Sequence, residues 1–149
     1  MAKKRRKKHD KAHLKEAALR KAFLRLLLKA PLRDVKFNGN RVSLTFFSHR
    51  LSDRVVIKRE NHVAEWSRKR KEVFIDKGIT NKDRGKSLKA LCVHEVIEKF
   101  LNERFGLRTE TEAHTVATKK EKEYLESLGG NWRSHELIVY WDWHRQGEH

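Results

Sequence analysis

The chain has 149 residues, of which 38% are hydrophobic, and a net charge of +16. That length suits one domain with one modest core. No run of 18 apolar residues occurs, so no transmembrane helix is expected. The basic N-terminus is not followed by an apolar segment with a small-residue cleavage site, so a secretory leader is not expected either. The single cysteine, Cys92, cannot form an internal disulfide, which suits a reducing, cytoplasmic setting.

Charge is unevenly placed. Residues 1–30 hold twelve Lys/Arg against Asp10 and Glu16, a net of +10, whereas residues 87–128 hold seven Lys/Arg against eight Glu. Residues 1–10, with Lys3, Lys4, Arg5, Arg6, Lys7 and Lys8, read as a disordered basic tail whose charges repel one another. Residues 11–149 read as one α+β domain. A helix over 11–30 follows Asp10 as N-cap, carries Leu14, Ala18, Phe23, Leu24, Leu27 and Leu28, and stops at Pro31. Its other side is rich in Lys and Arg and faces either phosphate or water.

"DVKFNGNRVSLTFF" predicts a hairpin, with Asn38-Gly39-Asn40 as the turn and Val42, Leu44 and Phe46 alternating. "DRVVIKR" and "KEVFID" are two further strands. Between them "HVAEWSRKRK" is too polar for a central strand, and Arg68, Lys69, Arg70 and Lys71 form a second basic patch. The expected sheet is small and antiparallel, of three to four strands, packed on an antiparallel helix pair over 83–128. Thr80 or Asn81 opens the first helix and Gly106 ends it. Thr109 and Glu112 form a capping box for the second, which closes at Gly129-Gly130. The last twenty residues, including "ELIVYWDW", form a strand or a short helix. Trp132, Trp141 and Trp143 are expected to serve packing, with base stacking as the alternative. Cys92 is expected in the core.

The chemistry concentrates in "CVHEVIEKFL". At about 100° per residue from Leu88, the apolar side chains fill roughly 40° to 220°, and His94 and Glu98 fall just beyond it, at about 240° and 280°. They are four apart, so they stack on the border of the apolar face. In the second helix His114 and Glu121 are two turns apart on one face. A short connection makes the helices antiparallel, and His94, Glu98, His114 and Glu121 then converge in one gap. Two His and one Glu match a catalytic zinc set with a fourth position for water, or a site for another divalent transition metal. Glu95 is placed to act as general base, and Glu121 as a further ligand or as a partner fixing the His114 ring. A His-Glu ion pair on the rim of a structural helix accounts for the same stretch without a metal. A di-iron carboxylate bundle is disfavoured, because Leu91 and Thr111, not Glu, stand three residues before His94 and His114.

"KEVFID" followed by a helix bearing "HEVIE" resembles the edge strand and active-site helix of small zincin-type metallopeptidases. "HEVIEKFL" with "AHTVATKKE" also resembles short archaeal and phage proteins with a His-Glu-x-x-Glu…Ala-His…Glu pattern, over residues 72–125. The zincins carry His-Glu-x-x-His, so here the order is exchanged, with Glu98 as the second helix-borne ligand and His114 downstream. The resemblance implies a zinc-dependent peptidase acting on a peptide substrate. The high charge with few Gln, Met and Cys is a mild thermophile signal. The basic segments imply instead a nucleic-acid or other polyanion partner. A nuclease ranks below both, since Mg²⁺ sites gather Asp and Glu more than His.

Overall fold

The computed structural model describes the backbone of residues 2–59 and 61–147 and the side chains of residues 10–59 and 61–146. Contacts divide the chain into two units, residues 1–30 and 31–149. The first unit is helix α1 (Ala2–Lys29). Its backbone is helical from Ala2 on, nine residues before the expected start. The side chains of Lys3, Lys4, Arg5, Arg6, Lys7 and Lys8 lie outside the described residues. Leu14 is 68% exposed, so the expected apolar stripe is uncovered at that end.

The second unit is α+β. Strands β1 (Leu32–Asn38) and β2 (Arg41–Phe46) form the expected hairpin, with Gly39 at φ 61° in the turn. Val42, Leu44 and Phe46 alternate inward and are fully buried. A second hairpin joins β2 to β3 (His49–Lys58). Its two-residue turn, Phe47-Ser48, is left-handed at both positions (φ 49° and 62°), as a tight hairpin demands, but is built from residues that do not signal it.

Strands β4 (Ala64–Trp66) and β5 (Glu72–Asp76) complete five strands in the order β1-β2-β3-β5-β4, against the three to four expected. The sheet is mixed instead of antiparallel. β5 pairs in parallel with β3, Val55 opposite Val73 and Ile57 opposite Ile75. The chain leaves β3, forms β4 and turns back, so β4 pairs antiparallel with β5 at the sheet's end. That edge position is where its polar sequence fits.

Helix α2 (Lys86–Phe105) packs on the sheet and against α3 (Glu112–Ser127). Two 3-10 turns over 77–85 precede α2, so it opens after Gly85 instead of after Thr80 or Asn81. The Asp83 carboxylate accepts from Ser87 N and Ser87 Oγ (2.9 and 2.6 Å) and caps the helix. Gly106 ends α2 in the left-handed conformation at φ 66°, as expected. The Thr109–Glu112 capping box does not form. Thr111 is the N-cap residue, and Glu112 instead accepts from Arg108 N at 3.4 Å. The last element is a 16-residue helix, α4 (Trp132–Gly147), capped by Asn131 Oδ1 on Ser134 N at 2.9 Å. Trp141 and Trp143 are 61% and 59% exposed, so neither serves as core packing.

Every residue from Ala90 to Ile97 is buried. α2 is therefore covered all round over two turns, not along one stripe. Cys92 is in that core, as expected.

A carboxyl pair ties α4 to the end of β5. Arg145 Nη2 donates to Asp142 Oδ1 (2.6 Å) and Asp76 Oδ2 (3.2 Å), and Gln146 Nε2 donates to Asp142 Oδ2 (2.9 Å). A Cβ on Gly78 would run into the ends of the Arg145 and Asp142 side chains, which would have to shift to admit it. Burial, and then a hydrogen bond and repulsion from Asp76, push the Asp142 carboxyl up to about 6 from 3.8. An acid raised in the folded state gives stability that is present below its unfolded value and is lost as pH rises through the folded one. The contribution of Asp142 to stability should therefore fall between pH 3.8 and about 6. Denaturant midpoints measured across that range should decline less steeply in Asp142→Asn than in the wild type; an identical slope would exclude Asp142 as the source.

Candidate metal centre

The site is built where α2, α3 and α4 meet β4. His94 and Glu98 lie one turn apart on α2, and His94 Nε2 donates to Glu98 Oε2 at 2.8 Å. The same oxygen is 3.2 Å from His114 Nδ1 on α3, and the two imidazole rings are 4.8 Å apart at 65°. On the far side His94 Nδ1 donates to Glu121 Oε1 at 2.7 Å. Contacts Glu98–His114 and His94–Glu121 run in opposite directions along the two helices, so α2 and α3 are antiparallel. The remaining Glu98 oxygen accepts from Trp66 Nε1 of β4 at 3.2 Å, and Arg68 stacks over the Trp66 ring at 5.2 Å.

His94, Glu98 and His114 each offer a ligand atom, and the three atoms lie within 4.8 Å of one another. They form a group that could hold a metal ion. Its depth is graded: His94 is buried, Glu98 is half-buried and His114 is exposed. That gradient leaves one side of the group open to solvent, as a site that must admit a ligand requires.

Glu121 is not in this group. Helix geometry explains why: His114 and Glu121 are seven residues apart, about 10 Å along α3 at 1.5 Å per residue, so they cannot both reach one ion. Glu121 instead clamps the ring behind the site, and that ring is His94's, not His114's. Its other oxygen accepts a short hydrogen bond from His135 Nε2 of α4. His135 Nδ1 is 2.8 Å from Ser87 Oγ, and Ser87 is bonded to Asp83. A continuous chain, Asp83–Ser87–His135–Glu121–His94–Glu98–His114, thus joins α2, α4 and α3.

The electrostatics follow from this crowding. Burial acts to lower the His94 pKa, but the hydrogen bonds it donates to Glu121 and Glu98 outweigh it and raise it to about 10. Both His94 nitrogens face carboxylate oxygens, which only accept, so the ring carries both protons. Burial acts to raise Glu98 and Glu121, yet their histidine partners hold both below the usual carboxylate range. Glu95, one residue along α2, is different. Burial pushes it up to about 8 against the attraction of His94.

Two clefts open from the site. One, of about 640 Å³, is lined by Glu65, Trp66, Arg68, Glu95, Glu98 and Glu110 beside the two histidines. The other, of about 530 Å³, runs toward α4. Both share His94, Glu95 and His114.

Of the residues singled out by sequence, His94, Glu98 and His114 converge, Glu95 lines both clefts, and Arg68 stands at the rim of the larger one. Lys69 and Arg70 are exposed on the turn before β5, and Lys71 borders a separate cleft beside the buried Lys99–Asp53 pair. Sequence reasoning missed His135, which is 1% exposed. The spacing His135, Val139, Asp142 recurs with helical period and would place a histidine on the buried face, had the segment been read as a helix. No family model, no curated protein and no solved structure matches the chain.

If the chain is a working unit, removing His135 leaves a buried Glu121 oxygen and Ser87 without their partner. His135→Ala should cost about 1–3 kcal/mol, the usual cost of orphaning a buried polar group, read from denaturant unfolding. Stability equal to the wild type would show that the chain carries no weight there.

Proposed function

We propose that the protein is a metal-dependent hydrolase, most simply a zinc peptidase, with His94, Glu98 and His114 as ligands and Glu95 as general base. The observation that supports this reading best is the convergence of three ligand atoms of the right types within 4.8 Å. Two imidazoles and one carboxylate are a common catalytic zinc set, which leaves a fourth position for water. A bound zinc ion would lower the pKa of that water and polarise a carbonyl. The rest falls to the chain's own groups. Glu121 holds the Nδ1 side of His94, so that Nε2 is turned toward Glu98; a bound cation would take the place of the Nε2 proton. Glu95 borders both clefts; in its ionised form, which a pKa of about 8 favours at alkaline pH, it takes a proton from the attacking water and returns it to the leaving amine. β4, the last strand in the sheet order, lines the larger cleft, where an extended peptide added beside it is held by main-chain hydrogen bonds.

Ligand and base separate cleanly by substitution. Zinc content of protein loaded with one equivalent should be lost in His94→Ala and Glu98→Ala. It should persist in Glu95→Gln, with peptide hydrolysis reduced by roughly 10²- to 10⁴-fold. Wild-type protein that takes up no stoichiometric metal refutes the reading.

A second reading is supported by the net +10 of residues 1–30 and the exposed Arg68–Lys71 run. We propose a nucleic-acid or other polyanion partner held through phosphate contacts, a role compatible with hydrolysis. Duplex DNA and RNA binding should weaken steeply from 50 to about 200 mM salt and on deletion of residues 1–9; salt-independent binding excludes it.

A further inference from the structure

We infer that the cleft between the metal group and α4 is a specificity pocket for an aromatic or large aliphatic side chain of the substrate, next to the bond that is cut. This inference rests on the hydrolase reading and names its substrate class.

The cleft begins at His94, Glu95 and His114, so whatever fills it lies beside the reacting groups. Its far wall is α4, which contributes Trp132, Val139, Tyr140 and Trp143, while Leu91 adds apolar surface from α2. Tyr140 and Trp143 are 50% and 59% exposed, with their rings 6.5 Å apart. Two large aromatic side chains left open side by side on the wall of one cleft are informative where a single one is not; Leu137 and Trp141 of α4 are also exposed but lie outside this cleft.

Two buried polar residues of this cleft, Glu121 and His135, are already engaged. Both Glu121 oxygens are held by His94 and His135, and the His135 nitrogens by Glu121 and Ser87. An incoming side chain meets an apolar wall of Leu91, Trp132, Val139, Tyr140 and Trp143 on the side away from the reacting groups, and about 530 Å³ is within the usual range of size for a ligand pocket.

Charge chooses between an apolar peptide side chain and a stacked nucleobase. Tyr and Trp could serve either. A base arrives with phosphates, however, and the lining residues include Glu95, Glu121 and Glu136 but no Lys or Arg. The larger cleft, with Glu65, Glu110 and Arg68, presents a polar contrast on the other side of the metal group. The pocket thus suits an uncharged bulky side chain.

Hydroxamates test this without turnover, because the hydroxamate binds the metal and the side chain probes the pocket. Calorimetric titration of the zinc-loaded wild type should show phenylalanine hydroxamate binding at least about tenfold tighter than glycine hydroxamate, the discrimination an apolar pocket gives. Tyr140→Ala and Trp143→Ala should shrink that ratio and leave glycine hydroxamate unchanged; both positions are half-exposed, so the fold should tolerate them. If neither hydroxamate binds, the metal-site reading fails and takes the pocket with it. If both bind equally, or the ratio survives both substitutions, the metal site stands and the pocket assignment is wrong. Tighter competition by a short oligothymidylate, lost in Trp143→Ala, would replace the peptide assignment with a nucleobase one.

Discussion

A buried imidazole held between two carboxylates is the constraint on which the rest of this architecture turns. His94 sits in the most deeply covered stretch of α2, bonded to Glu98 on one side and Glu121 on the other. Each carboxylate needs further donors. Glu98 finds them in Trp66 and His114, and Glu121 in His135. Four elements must arrive in register to satisfy one ring. That places β4 at the sheet edge over α2, sets the stagger of α3 against α2, and brings α4 across the end of both.

Stability alone is a poor reason to build such a network. Desolvating several ionisable groups costs several kcal/mol each, and well-packed apolar side chains of similar volume generally do as well or better. A chain with one modest core has little margin for that. Clustered, strongly perturbed titrating groups beside an open cleft are instead the mark of a functional site. His94 raised to about 10 and Glu95 to about 8 show how tightly this region holds protons. Two imidazoles and one carboxylate whose ligand atoms lie within 4.8 Å of one another also form a group that could hold a metal ion.

Much of this was legible in the sequence because it depends on short-range rules. The i, i+4 spacing of His94 and Glu98 needs only a helix, Asn38-Gly39-Asn40 needs only a hairpin turn, and Gly106 needs only a helix end. What could not be read depends on tertiary geometry. Phe47-Ser48 turns the chain without a turn signature, since pairing of the flanking strands imposes the left-handed backbone. The parallel β3–β5 pairing comes from a crossover through β4, which no local periodicity encodes. The partner of Glu121 follows from helix stagger: His114 and Glu121 share a face, yet two turns separate them, so they divide between the mouth of the site and its floor. His135 was missed because α4 was left undecided between strand and helix, and only the helix puts it inward.

The arrangement also explains how a basic protein can carry an acidic site. Lys and Arg dominate residues 1–30 and the 68–71 turn, whereas the cleft facing α4 is lined by carboxylates and aromatic rings.

X-ray absorption at the zinc edge, on protein loaded with one equivalent of zinc, tests the central claim most directly. The account predicts about four nitrogen and oxygen ligands at about 2.0–2.2 Å, with the outer-shell signature of two imidazoles and no sulfur. The signature of one imidazole should vanish in His114→Ala. A zinc ion bound through sulfur, or a spectrum unchanged by that substitution, would contradict it.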